Sequence, residues 1–281
     1  RSDFLGLIIS DIENPFYPGL IKAFESAALE RSFEVLLSTT NYDQARTEQV
    51  FRKMIENKTP GVAVMTSRID GRMAQWLAEA GIASVLLDAD GVGPLRSNIR
   101  IDYAKGAGEA VRYLHKLGHR RFALIAGPQD RASHLALCRA VEAALRALGL
   151  KLQIVAGGND AESGAEGVTR LLAGAALPTA VLCSNDVTAL GAIREFHRCG
   201  LRVPDDVSVI GADDIPFAVL AQPPLTTVRI PRERLGVLAM EVLQEMMGSP
   251  AKRGKEFVLP TDLVVRESTG PVQVIRAETK R

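Results

Sequence analysis

Cysteine is scarce in this chain. Cys138, Cys183 and Cys199 are the only three in 281 residues. Their number is odd, and they fall on or beside expected helices and a strand. That argues against a disulfide framework and for free thiols in a reducing compartment. Histidine is rarer than a metal centre wants, with four residues. His115 and His119 stand four apart, but Gly118 and a helix end intervene, and no Cys or carboxylate supports them. Structural roles are expected for both, and no metal. An excess of one charge sign is missing as well: the net charge is +1 and the pI about 7.9. A free-standing nucleic-acid-binding domain shows a basic face or stripe. Here the dense basic clusters are Arg120-Arg121, Lys252-Arg253 and Lys280-Arg281, each read as solvated surface. No apolar run approaches membrane-spanning length, and no secretory leader is evident. Gly-x-Ser-x-Gly elbows, phosphate loops and His-Glu-x-x-His are absent. Gly106-Ala107-Gly108 lacks a third glycine and sits inside an expected helix, so no dinucleotide cofactor follows. No cofactor of any kind is called for, and no enzymatic activity is expected.

What is present is an ordinary globular composition, 47% apolar and 24% charged, long enough for one large or two medium domains. The most informative stretch is residues 179–229. Thr179 to Cys183 reads as a buried strand. Asn185 and Asp186 are placed to cap a following helix with Val187, Leu190, Ile193 and Phe196 on one face. Gly200 ends it and Pro204 prevents its resumption. Val207 to Ile210 is the next strand, then Asp213-Asp214, a short helix, and a return through Pro223-Pro224. Parallel strands joined by helices put all strand carboxyl ends at one edge, where open α/β sheets bind ligands.

The same β-α alternation fills the chain. Strands are expected at 4–9, 35–37, 62–65, 83–87, 122–126 and 152–155, with 99–101 as a short edge strand. Asn14 is expected to cap a helix opening at Pro15, with Phe16, Leu20, Phe24 and Ala28 on its core face. Further helices are expected up to about 57 and over 73–80, 103–117, 134–148, 161–173 and 186–199. The tail departs from the alternation: a strand at 226–228, a long amphipathic helix at 232–247 and two strand-like pieces within 257–265.

Ser184-Asn185-Asp186, the run from Gly200 to Gly211, Asp213-Asp214 and Pro223-Pro224-Leu225-Thr226-Thr227-Val228 closely resemble the effector-binding domain of the LacI/GalR family of bacterial regulators. Asn14-Pro15-Phe16-Tyr17, Leu117-Gly118-His119-Arg120, Glu162-Ser163-Gly164 and Val265-Arg266-Glu267-Ser268-Thr269-Gly270 extend the resemblance, in order, over nearly the whole chain. It implies two Rossmann-like α/β lobes, each a mainly parallel sheet flanked by helices. Three crossovers join them, as in type I periplasmic binding proteins. The expected N-terminal lobe is 1–102 plus about 232–256, and the C-terminal lobe 103–231 plus about 257–281. The family's DNA-binding headpiece would precede Arg1. The partners implied are a small effector (sugar, purine or small anion), a second copy in a homodimer, and operator DNA through that headpiece. The setting implied is cytoplasmic, with no membrane partner. The rival reading is a periplasmic solute-binding protein of a transporter, which shares the fold.

The residues following the strands are expected to line a polar cleft for the effector. Many of them double as helix caps and turn formers. Asp213 is harder to assign to capping, because Asp214 is free to cap in its place. Tyr17 is expected beside the core residue Phe16, facing the ligand. The resemblance implies effector contacts for Phe16, Tyr17, Asp102 and Asp213. Where many sugar-responsive members carry an Arg after the Gly127-Pro128 loop, Leu137 stands. Arg131 lies earlier, with Ser133 beside it, and resembles the arrangement of the purine branch. Asn159 replaces a common stacking aromatic, and Ile230 replaces Gln after Arg229. Arg131 is suited to a carboxylate, phosphate or purine oxygen. Asn185 completes the candidate set.

Overall fold

The computed structural model describes residues 3–66, 71–174, 176–248 and 253–273. Lys252, Lys280-Arg281 and the opening Arg1-Ser2 lie outside them. The chain divides into two compact units. The first takes the chain through Asp102, a strip at Asp130–Ser133, and Pro231–Pro260. The second takes Tyr103–Gln129, His134–Ile230 and the chain from Thr261.

In the first unit, β1 (Phe4–Ile9), β2 (Glu34–Thr39), β3 (Gly61–Met65), β4 (Ala83–Leu87), β5 (Arg96–Asp102) and β11 (Glu256–Pro260) form one sheet. Its order is β11-β5-β4-β3-β1-β2, and every pairing is parallel. The inner strands β1, β3 and β4 are apolar runs because both faces are covered. Helices α2 (Gln44–Glu56) and α3 (Gly71–Glu79) bury Val50, Phe51, Met54, Met73 and Leu77 against one face. Helices α1 (Tyr17–Leu29) and α8 (Arg232–Gly248) pack together, and α8 also lies against β3 and β4.

The second unit repeats the plan with β6 (Phe122–Ala126), β7 (Leu152–Ala156), β8 (Ala180–Cys183), β9 (Ser208–Asp213), β10 (Thr226–Arg229) and β12 (Asp262–Val264). The order is β12-β10-β9-β8-β6-β7, with β12 alone antiparallel. Helices α4 (Tyr103–Lys116) and α5 (Ala132–Ala147) cover one face with Ala107, Val111, Leu114, Leu137, Val141 and Leu145. Helices α6 (Ala161–Leu172) and α7 (Asp186–Arg198) cover the other with Val168, Leu171, Ala189, Ile193 and Phe196.

The α6–α7 contact is a backbone approach. A Cβ on Gly191 would stand 1.9 Å from the Ala161 carbonyl oxygen, and one on Gly164 2.1 Å from that of Thr188. Neither neighbour can rotate away, since both are main chain. Gly191→Ala is therefore expected to force the helices apart at a cost of about 3 kcal/mol. Urea unfolding monitored by circular dichroism checks it.

Four local expectations are corrected. Helix α1 opens at Tyr17, not at Pro15. Asn14 makes a tight turn instead, its Oδ1 accepting from the Phe16 amide at 2.9 Å and its carbonyl from the Tyr17 amide at 3.1 Å. The helix itself has no side-chain cap. The short helix after Asp214 does not form. Residues 216–220 are turns, and Pro223 and Pro224 bar a helix from continuing beyond them. The 99–101 piece is a seven-residue strand and not an edge, because β11 pairs outside it from Glu256↔Asn98 to Pro260↔Asp102. For the same reason 257–260 belongs to the first unit, and the last crossover falls after Pro260.

Candidate functional site

Both sheets share one ordering: second strand, first, third, fourth, fifth. The order reverses between β1 and β3 in one unit and between β6 and β8 in the other. Such a switch point is where loops diverge at the carboxyl edge and leave a crevice. At the first, Ser10 follows β1 and Thr66 follows β3, both buried, and Ser10 Oγ donates to Thr66 Oγ1 at 2.7 Å. At the second, Ser184 and Asn185 follow β8, also buried.

Asn185 has two jobs. Its Oδ1 accepts from the Thr188 amide at 2.7 Å and caps α7. Its Nδ2 donates to the Asn159 carbonyl at 3.2 Å, which ties the loop after β7 to the loop after β8. Asp160 caps α6 through the Ser163 amide at 2.8 Å. That bond holds its carboxyl below the ordinary value.

Asp213 ends β9 with φ of 108°, and Asp214 follows at 57°. Side chains rarely adopt two such conformations in succession, so outside ties must hold them. Asp186 supplies one. It is fully buried at the start of α7 and accepts from the Ile215 amide at 2.8 Å and Thr227 Oγ1 at 2.5 Å. Burial pushes its pKa up to about 7, against those two hydrogen bonds, which pull it down. Asp214 supplies the other, accepting from Arg229 Nε at 2.7 Å and Arg266 Nη2 at 2.6 Å. Burial works to raise the Asp214 carboxyl, but the two guanidiniums outweigh it and hold it below its usual value. Asp214 is thus spent on structure rather than capping, and half-buried Asp213 is the carboxylate delivered to the strand end.

In the first unit, Asn41 and Tyr42 also occupy the left-handed region, at φ of 49° and 58°. The Arg131 guanidinium stacks over the Tyr42 ring, 3.5 Å from its centre. Arg131 Nη1 is buried without a hydrogen-bond partner. A stacked guanidinium keeps its in-plane donors for an oxygen in that plane. Thr40 Oγ1, after β2, and Ser184 Oγ, after β8, are likewise buried and unpartnered among the described residues. Buried polar groups without a protein partner are uncommon and call for one, from water or from a ligand.

The expected residues are therefore distributed as follows. Asn159 and Asn185 meet, and Asp213 ends the strand beside β8. Phe16 and Tyr17 form an edge-to-face pair with centres 5.4 Å apart, each only 8% exposed. Asp102 is the last residue of β5. Ser133 lies in the first turn of α5, within the strip that groups with the first unit. Tyr42, Thr40 and Ser184 were not expected. Position after a strand was the available signal for Thr40 and Ser184, but nothing in the sequence pairs Tyr42 with Arg131.

Two doubly wound units with polar strand-end loops define a ligand-sensing domain of the periplasmic-binding-protein type. Residues 111–269 match the periplasmic binding protein-like domain family. The chain is 31% identical to the HTH-type transcriptional regulator DegA of Bacillus subtilis, over 97% of this chain and 82% of that protein. It is 28% identical to the HTH-type transcriptional repressor PurR of Photobacterium profundum, over 94% and 80% respectively. A solved complex of the transcriptional regulator CelR with cellobiose superposes with a TM-score of 0.87 at 31% identity, covering 95% of this chain and 85% of that one. The chain belongs to the LacI/GalR family of transcription regulators and forms its effector-binding domain. The likeness to DNA-binding regulators over nearly the full chain favours this over a transporter's solute-binding protein.

Proposed function

We propose that this domain senses a small polar metabolite that carries both hydroxyl or amine donors and a carbonyl or anionic oxygen. The observation that supports this most is Arg131, a guanidinium stacked on Tyr42 with a buried, unpartnered Nη1. That geometry suits a planar or anionic oxygen of a ligand, including a carboxylate, a phosphate or a purine carbonyl. Asp213 accepts from the ligand's donors. In the second unit Asn159, Asn185 and Ser184 offer neutral contacts beside Asp213; in the first unit Thr40, Asp102 and Ser133 offer polar groups beside Arg131. Phe16 and Tyr17, nearly buried, offer an apolar edge rather than an open stacking platform. The effector acts by binding one arrangement of the domain better than another, which is the only way a ligand shifts such an equilibrium. The readout is operator binding through a helix-turn-helix headpiece.

A thermal-shift screen of sugars, nucleobases, nucleosides and small carboxylates tests this reading. A selective ligand at about 100 times its Kd is expected to add about 2.7 kcal/mol of stability. A panel in which anionic and carbonyl-bearing compounds shift the melting point no more than simple polyols speaks against the role given to Arg131.

The domain acts as a homodimer. Phe217, Val219 and Leu220 are 53%, 57% and 74% exposed on the turn after β9, an apolar group that water solvates poorly and a second copy covers. Leu220→Asp is expected to convert dimer to monomer in sedimentation velocity while the far-ultraviolet dichroism stays the same. A variant that remains dimeric removes this turn from the interface.

A further inference from the structure

The geometry points to a second ligand site, at the amino edge of the second unit's sheet, shaped for a phosphomonoester of a small metabolite. A cavity of about 720 Å³ lies there, where β6, β8 and β9 begin. The strands between are four to six residues long, which separates it from Asn185 and Asp213 by about 15–20 Å.

The cavity wall carries three guanidiniums against two carboxylates: Arg120, Arg121 and Arg202 with Asp205 and Asp206. Arg202 is already compensated. Its Nε and Nη2 each meet Asp206 at 3.0 Å, and its Nη1 meets Asp205 at 3.1 Å. Arg120 and Arg121 differ. Nη1 of Arg120 donates to the carbonyls of His115 and His119 at 3.0 and 2.8 Å, and Nε of Arg121 donates to that of Leu177 at 3.0 Å. Both guanidiniums are held in place by neutral oxygens, and among the described residues neither meets a carboxylate. Arg121 keeps both terminal Nη groups for a ligand, the fork that grips two oxygens of one anion. Two such charges match a phosphomonoester, which carries about −1.5 to −2 at neutral pH.

The rest of the wall suits a carbon skeleton: Leu177, Leu201, Pro204, Pro271 and Val272. His119 backs the site without entering it. It is buried, and its ring nitrogens are occupied by Thr179 Oγ1 at 3.0 Å and by the Gly270 carbonyl at 2.9 Å with Ser208 Oγ at 3.1 Å. Burial lowers its pKa, against the hydrogen bond to the Gly270 carbonyl, which raises it. The volume falls in the range of small-molecule pockets.

Isothermal titration of the whole chain with glycerol 3-phosphate, with glycerol as the uncharged control, tests the site. Saturable binding of one equivalent is expected, with none for glycerol. Arg121→Gln is expected to weaken it about tenfold or more, and Arg121→Lys, which keeps the charge but loses the fork, by less. Both side chains are exposed, so the fold is retained, and the melting-point shift given by the effector is expected to be unchanged in Arg121→Gln. Three results overturn the proposal. One is no binding at about 10 mM. Another is equal displacement by sulfate, which means an adventitious ion only. The third is loss of the effector's shift together with phosphate binding, which means a single site.

Discussion

Asp186→Ala is expected to destabilise the domain by about 4 kcal/mol, since it strands two buried donors at about 1–3 kcal/mol each. Those donors are the Ile215 amide and the Thr227 hydroxyl. The loss also unfastens the turn whose consecutive left-handed residues present Asp213. Asp186→Asn is the instructive companion. Its amide oxygen still accepts from Ile215, and Thr227 can turn its hydroxyl to accept from the amide nitrogen, so the fold is retained. What changes is the dependence on pH. The folded pKa of Asp186 is raised to about 7 from an ordinary 3.8. Between those values the folded state holds a proton that the unfolded state has released. The group's contribution is therefore fully present below pH 3.8 and lost as pH rises through 7. Asp214 and Asp160 run the other way. Their folded values are lowered, so their contributions are lost as pH falls. Denaturant titrations of wild type and Asp186→Asn at pH 5 and pH 7.5 separate the two. The difference in stability between them is expected to move in favour of wild type as pH falls from 7.5 to 5. A difference that does not change with pH removes the buried proton from the account.

The second large effect concerns ligand binding. Asp213→Ala is expected to weaken the effector about 100-fold or more, because losing a charge-assisted contact typically costs 2–5 kcal/mol. Melting temperature without ligand, read on the same variant, separates loss of binding from loss of fold. Arg131→Ala separates ligand classes. It is expected to cost an anionic or carbonyl-bearing ligand far more than a neutral polyol. Equal losses for both remove the charge argument, and calorimetric titration of each variant reads the difference directly.

Much of the fold is legible in the sequence because strand and helix alternate at short spacing and both sheets are covered on both faces. The apolar runs 122–126 and 180–183, and the periodicity of 186–198, correspond to their elements almost residue for residue. The misreadings have tertiary causes. Phe257-Val258-Leu259 looks like any short strand, and only its partner β5 decides which sheet it joins. Asn14 has the side chain of a cap but closes a turn ahead of the helix.

The site is legible by position and not by role. Asn159, Asn185 and Asp213 stand at or after strand ends, where open α/β sheets bind ligands. That Asp186 fastens the turn after β9 depends on Thr227 and Ile215, some 41 and 29 residues away. Arg131 is visible as an unusual arginine in a loop, but its stacking on Tyr42, 89 residues earlier, has no signature in either local sequence.

Hydrogen exchange with and without the effector found by the thermal screen tests the central claim most directly. The account predicts slowed exchange in the loops at the carboxyl ends of the strands: 40–43, 127–133, 157–160, 184–187 and 212–215. The amino-edge loops at 118–121 and 201–206 are predicted to keep their rates. Protection confined to those amino-edge loops, or spread evenly over the helices, contradicts it.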